Sequence, residues 1–322
     1  MTMVGAAACQ GFAVLISDRL VTLSRQGTYA GPHDLLANKT VVYLGRDCAL
    51  IFGFAGTAYL AGIPTDEWIA QVLWGKEFQR YPDGRLPTAV GGKGDGPRGL
   101  NQVLLTLRRK LSVTPGGKGV TLLVSGWWSR RRRRLIPILV KFSGNDAGFA
   151  SPTMKLRPPR SRINLAQEVI GILPTADVIQ AAQKEPRPQP RNGFEYADYV
   201  ISIFTSVIRR TAASDPGVGP HVTAVTIPHP SNRRVTCRFD PFAEHSARIG
   251  SGSHEARIPV AFTPWVVSEL GFQSAMVLSG IQSFKRKFGS WTIEYLGCPP
   301  RVDIDTSVPS FIADQQRRPM PG

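Results

Sequence analysis

The sequence predicts an α+β protein in which antiparallel sheets are covered by helices, an αββα layering. Three observations predict it. Apolar runs come in pairs separated by short turns, at 40–44 with 48–53, 119–128 with 135–142, and 221–228 with 233–239, the signature of hairpins. Between the pairs lie longer segments whose apolar residues recur at helical spacing. The regular strand–helix alternation of a doubly wound parallel sheet is absent.

Taken in order, FAVLIS (12–17), TVVYL (40–44) and CALIFG (48–53) read as strands, the last two separated by the turn GRD (45–47). PTDEWIAQVLWG (64–75) reads as a helix: Thr65 is placed to cap it, Asp66 and Glu67 suit its positive end, and Trp68, Ile69, Val72 and Leu73 form one apolar stripe. A polar, glycine-rich stretch (82–99) precedes a second helix at 100–113, where Leu100, Val103, Leu104, Leu107 and Leu111 recur. The glycines make no phosphate loop. Neither Gly92-Lys93 nor Gly117-Lys118 has a glycine five positions ahead or a Ser/Thr behind.

The runs 119–128 and 135–142 read as strands joined by Ser129 and the five arginines 130–134, which would cap a hairpin. Amphipathic helices are expected at 163–173 and 194–210 between proline-rich breaks, and 221–228 and 233–239 form another hairpin across HPSN. The stretch 265–284 mixes strand and helix signals, and the Pro/Arg-rich tail 299–322 is expected to be mobile.

At 322 residues with 42% apolar content, 32 glycines and 26 prolines, the chain can bury one large core, with many turns and irregular inserts. A net charge of +16 attracts polyanions, but much of the excess sits in the interrupted segments 130–134, 154–162 and 185–191, which read as solvated loops rather than a nucleic-acid surface. Cys9, Cys48, Cys237 and Cys298 lie far apart, as reduced thiols of a cytoplasmic protein do. The uncharged stretch Cys48–Ile63 is too short to span a bilayer and is broken by glycines, and residues 1–16 lack the basic start of a signal peptide, so no membrane segment is expected. The five histidines form no metal set, and no metal or cofactor is expected. Trp127 and Trp128 beside the arginines would point to opposite faces of a strand, which favours packing over stacking on nucleic acid.

Chemistry enters at the second residue. If Met1 is removed, Thr2 carries a free α-amine beside its own hydroxyl, a nucleophile and its base in one residue. Cys9 could play that part only if cleavage discarded the first strand. The ordered set MTMVGAAACQGFAVLISDRLVT, ANKTVVYL and FGFAGTA resembles the start of proteasome β-subunits and their bacterial ATP-dependent threonine-protease relatives, members of the N-terminal nucleophile (Ntn) hydrolases. In that family a processed threonine begins the first strand, an Asp-x-Arg-like turn ends the second, a lysine begins the third and a G-F-A-G-like turn follows the fourth; Thr2, Asp18, Lys39 and Gly56 fall in the same order.

The resemblance implies a four-layer αββα sandwich and hydrolysis of a peptide or amide substrate by Thr2. It implies that Asp18 and Lys39 support Thr2 and that the Gly56 amide donates to the oxyanion. It also implies a homo-oligomer. ARIGSGSHE (247–255) is similar to the family's Gly-Ser-Gly turn and nominates Ser251. That turn falls much later here than in the family. The expected organisation is therefore a single domain over 1–298 with a basic insertion at about 143–220, followed by the tail. Two other readings are a non-catalytic protein of the same fold and a basic nucleic-acid-associated protein.

Overall fold

The computed structural model describes residues 2–25, 28–34, 37–79, 89–130, 134–146, 154–156, 165–190, 192–240, 246–249, 256–273, 276–278, 283–296 and 303–304. Strands β1 (Met3–Ala8) and β2 (Phe12–Asp18) lead into a bulged hairpin, β3 (Val21–Arg25) and β4 (Thr28–Asp34). Then come β5 (Thr40–Leu44), β6 (Cys48–Gly56), the small ladder β7 (Tyr59–Leu60) and β8 (Ile63–Pro64), and helix α1 (Thr65–Trp74). Strand β9 (Ala89–Gly91) precedes α2 (Leu100–Val113), and the long hairpin β10 (Val120–Arg130) and β11 (Arg134–Ser143) follows. Strands β12 (Met154–Leu156) and β13 (Leu165–Gly171) come next, with α3 (Ala176–Lys184) and α4 (Gly193–Ser214). The remainder is β14 (Val222–Pro228), β15 (Arg234–Asp240), β16 (Ser246–Ile249), β17 (Ala256–Phe262), β18 (Trp265–Ser268), β19 (Gly271–Gln273), β20 (Met276–Leu278), β21 (Ser283–Phe288), β22 (Trp291–Leu296) and β23 (Asp303–Ile304).

Two large sheets hold the fold. One runs β12-β13-β1-β2-β14-β15-β22-β21 and the other β11-β10-β6-β5-β18-β19-β9. Only the β15–β22 and β5–β18 pairings within them are parallel, so both sheets are mainly antiparallel. The ambiguous stretch 265–284 resolves into strands, with 274–275 and 279–282 outside the described residues.

The strands of the middle are apolar on both faces, which is why they read as continuous runs rather than as alternation. In β1, Val4, Ala6 and Ala8 face a cluster that includes Ile51, Leu123 and Trp127 of the other sheet. Met3 and Ala7 belong to a second cluster with Val200, Phe204 and Ile208 of α4. In β6, Ala49, Ile51 and Ala55 point to the first cluster, while Leu50, Phe52 and Phe54 meet Ile69, Leu104 and Leu107 of α1 and α2 in a third. Each large apolar side chain so buried contributes about 1.5–3 kcal/mol relative to exposure. Small residues in β1 let the layers close: a Cβ on Gly5 would lie 2.4 Å from the Phe204 ring. Two polar ties also cross between the sheets. Ser125 donates to the Ala7 carbonyl (3.0 Å) and the Trp127 indole to the Ile227 carbonyl (3.1 Å).

The adjacent tryptophans do part. Trp127 is buried between the sheets, whereas Trp128 packs against the cluster of α1 and α2. Arg130 pairs with Arg134 at the closing end of β10 and β11, and residues 131–133 lie outside the described residues.

Two expectations are corrected. The segment 163–173 is not a helix but carries β13, which pairs along the whole of β1. Its helical spacing yields to an exposed ladder edge on β1 that needs a partner, and the β-branched Val169 and Ile170 suit a strand. Thr65 does not cap α1. It is the first helical residue, its hydroxyl donates to the Thr57 carbonyl (2.8 Å), and no side chain caps that end. The cap of α2 comes from afar: Asp47, in the turn between β5 and β6, accepts from the Leu100 N–H (3.0 Å). Within 143–220, β13 joins the eight-stranded sheet and α3 and α4 pack on its outer face. Of the tail 299–322, only 303–304 are described, as β23 paired with β17.

Trp127→Phe keeps an aromatic ring between the sheets but leaves the Ile227 carbonyl without the indole donor. It should cost about 1–3 kcal/mol in urea unfolding; an unchanged midpoint would mean that the tie contributes nothing to holding the sheets.

Candidate active site

Thr2, Asp18 and Lys39 come together where β1 begins, β2 ends and β5 begins. All three are buried, at 5%, 0% and 2% exposure. The Thr2 hydroxyl donates to Asp18 Oδ1 (3.0 Å) and accepts from the Lys39 ammonium. Lys39 Nζ also donates to Asp18 Oδ1 (2.9 Å) and to the Leu20 carbonyl. The ammonium therefore touches the hydroxyl oxygen and its carboxylate partner at once.

Asp18 is the hub of this cluster. Besides Thr2 and Lys39, its Oδ1 accepts from the Met3 N–H (2.9 Å). Its Oδ2 accepts from the N–H of Leu20 (3.2 Å) and of Gly219 (3.1 Å). A carboxylate has about four lone-pair positions, so this one is saturated by its five donors. One residue away, Ser17 Oγ and Thr40 Oγ1 lie 3.3 Å apart, both fully buried, so neighbouring pairs of residues join β2 to the start of β5.

Thr2 is fixed on its carbonyl side as well. The Ile172 N–H donates to the Thr2 carbonyl (2.8 Å). Gly171 has φ +84°, and a Cβ there would lie 2.0 Å from that oxygen and 3.1 Å from the Ala55 side chain. Gly56, the next residue after Ala55, ends β6 with φ +107°, where a Cβ would lie 1.9 Å from the Gly119 carbonyl. Only glycine fits either position.

Three residues matter that the sequence reading did not name. Gly171 and Gly219 receive or support the cluster through backbone, and Leu20 gives both its N–H and its carbonyl. Gly171 interrupts the apolar run VIGIL, a signal of close backbone approach within a strand that the helical spacing of the run hides. Ser251 lies outside the described residues.

The buried thiols offer no rival nucleophile. Burial pushes the thiols of Cys9, Cys48 and Cys237 up from their ordinary value, which disfavours the thiolate. Among the described residues no group of three or more His, Cys, Asp or Glu could hold a metal ion, and no helix is long and apolar enough to cross a membrane.

Among solved structures, this chain is similar to Anbu proteins. Anbu (ancestral beta-subunit) from Yersinia bercovieri shares 14% identity over 70% of this chain and 81% of that one, with a TM-score of 0.40. An Anbu (Gly-1) mutant from Hyphomicrobium sp. strain MC1 shares 13% over 71% and 82%, with a TM-score of 0.41. The helical assembly of the Anbu complex from Pseudomonas aeruginosa shares 12% over 70% and 81%, with a TM-score of 0.40. No family model matches the chain, and no curated protein matches it.

Lys39→Met leaves Asp18 buried without its counter-charge and should cost about 3–5 kcal/mol in urea unfolding. Adding Asp18→Asn should return part of that loss, giving a double-mutant coupling above about 1 kcal/mol; strictly additive losses would count against a coupled pair. Gly171→Ala, which meets both the left-handed φ and the Thr2 carbonyl, should lower stability by more than about 1 kcal/mol, and a neutral effect on the melting temperature would contradict the close approach.

Proposed function

We propose that the chain is a threonine-type amide or peptide hydrolase of the proteasome-like kind, with Thr2 as nucleophile once the Met1–Thr2 bond is broken. One observation carries the reading: the Thr2 hydroxyl lies in a buried cluster between the Lys39 ammonium and the Asp18 carboxylate. The resemblance of the first strands to proteasome β-subunits supports it. The four-layer αββα sandwich is part of the same reading, and the three apolar clusters support it. Self-association and the part given to Ser251 belong to the proposal through the resemblance alone.

The chemistry follows from the groups present. While Met1 is attached, the Thr2 nitrogen is an amide and cannot act as a base. Freed, the α-amine has a pKa of about 8 or below and takes the hydroxyl proton directly or through a water. Lys39 stabilises the developing alkoxide and, as a neighbouring cation, favours the neutral form of the amine. The oxygen attacks the carbonyl carbon, and the Gly56 N–H donates to the oxyanion that forms. Collapse breaks the carbon–nitrogen bond, and the departing amine takes the proton held by the α-ammonium. Water then hydrolyses the Thr2 ester by the same proton path and restores the hydroxyl. Asp18 acts through Lys39 and the Thr2 hydroxyl, holding both in place.

The test combines intact mass with hydrolysis of fluorogenic peptide and amide substrates. The active protein should lack Met1. Thr2→Ala should fold and lose at least about 10³-fold in turnover, while Thr2→Ser keeps partial activity. A retained Met1 together with no hydrolysis would favour the non-catalytic reading, and equal turnover by Thr2→Ala would overturn the nucleophile.

A further inference from the structure

A cleft of about 900 Å³ opens on the helical side of the eight-stranded sheet, between α4, the β14–β15 hairpin, the segment after α3 and the end of β22. Its size is that of a small-molecule site. It combines two kinds of surface. Apolar side chains, Ile201 and Leu296 among them, line it together with four arginines and two carboxylates. The lining thus carries more cations than anions beside apolar area, the complement of a molecule with an apolar body and an anionic head.

The arginines are not equally engaged. Glu185 accepts from Arg210 through both Nε (3.0 Å) and Nη2 (2.9 Å), from Arg187 Nη2 (2.7 Å) and from the Ser206 hydroxyl. That hydroxyl, followed by the arginines, holds the Glu185 carboxyl below its ordinary range. This corner is a closed carboxylate clamp. On the opposite wall, Arg238 pairs with Asp198 (3.0 Å), but the two side chains are 40% and 55% exposed, and an ion pair in that much water holds weakly. Arg209, next to Arg210 on α4, lines the same cleft. Arg238 can therefore exchange one carboxylate for another at little cost.

We propose that this cleft binds a small organic monocarboxylate, its apolar body against Ile201 and Leu296 and its carboxylate on Arg238, beside Arg209. The site lies on the outer face of the sheet, whereas the Thr2 cluster joins the two sheets, and no residue of that cluster lines it. It is thus a binding function separate from hydrolysis. A carboxylate is favoured over larger anions because Arg187, Arg210 and Arg238 of the lining each already hold one.

Calorimetry on the full chain with octanoate, and with 1-octanol and octylammonium as neutral and cationic analogues, tests this. Octanoate should bind saturably at one site and both analogues at least about tenfold more weakly. Arg209→Ala with Arg238→Ala should weaken octanoate about tenfold or more, and Arg238→Lys alone should lose less. If the double variant does not fold, Ala213→Trp on the exposed surface of α4 fills the cleft without removing charge and should block binding. The proposal is overturned if octanoate does not saturate, if 1-octanol binds as well, or if octanoate affinity survives in the folded double variant or in Ala213→Trp.

Discussion

The fold turns on one buried carboxylate. Asp18 is fully inaccessible to solvent, and an ionised group in that position is tolerated only when it is paired and fully hydrogen-bonded. Its donors come from the start of β1, the residue ahead of β5, the turn after β2 and the loop before β14. Satisfying it fixes the positions of four chain segments relative to one another. A buried pair of this kind adds little to stability when set against an apolar replacement. What it specifies is the juxtaposition of the two sheets at one end, and that is where the Thr2 hydroxyl sits.

The apolar layers do the remaining positioning without directional chemistry. Because β1, β2 and β6 are covered on both faces, a slip of one residue would exchange the inner and outer side chains of each strand. It would also bring a side chain to Gly5 or Gly53, where the facing Phe204 ring or the Val4 and Leu15 side chains leave no room. Close packing thus guards the register that the hydrogen-bonded cluster requires.

Much of this was legible in the sequence, and the limits have physical causes. The strands at 12–17, 40–44 and 48–53, the helices at 100–113 and 194–210, and the hairpins of β10–β11 and β14–β15 declare themselves locally, through apolar periodicity and turn residues. The order Thr2, Asp18, Lys39 and Gly56 is legible only through the resemblance to proteasome β-subunits, not from local pattern. The segment 163–173 does not declare itself: its spacing suits a helix, and only the open edge of β1 makes it a strand. The cap of α2 by Asp47 and the donation of Gly219 to Asp18 join residues distant in sequence, and such contacts leave no pattern in a single chain.

The anchoring of Thr2 has a consequence for the order of events at the chain's start. Every contact described for this residue is made by its hydroxyl or its carbonyl. Among the described residues, no contact is made by its amino side. Severing the link to Met1 would therefore remove no restraint on the threonine, and the oxygen would already be aimed before the adjacent nitrogen acquired a usable lone pair. Geometry would precede reactivity, so the liberated amine would enter a finished site with no local refolding of β1.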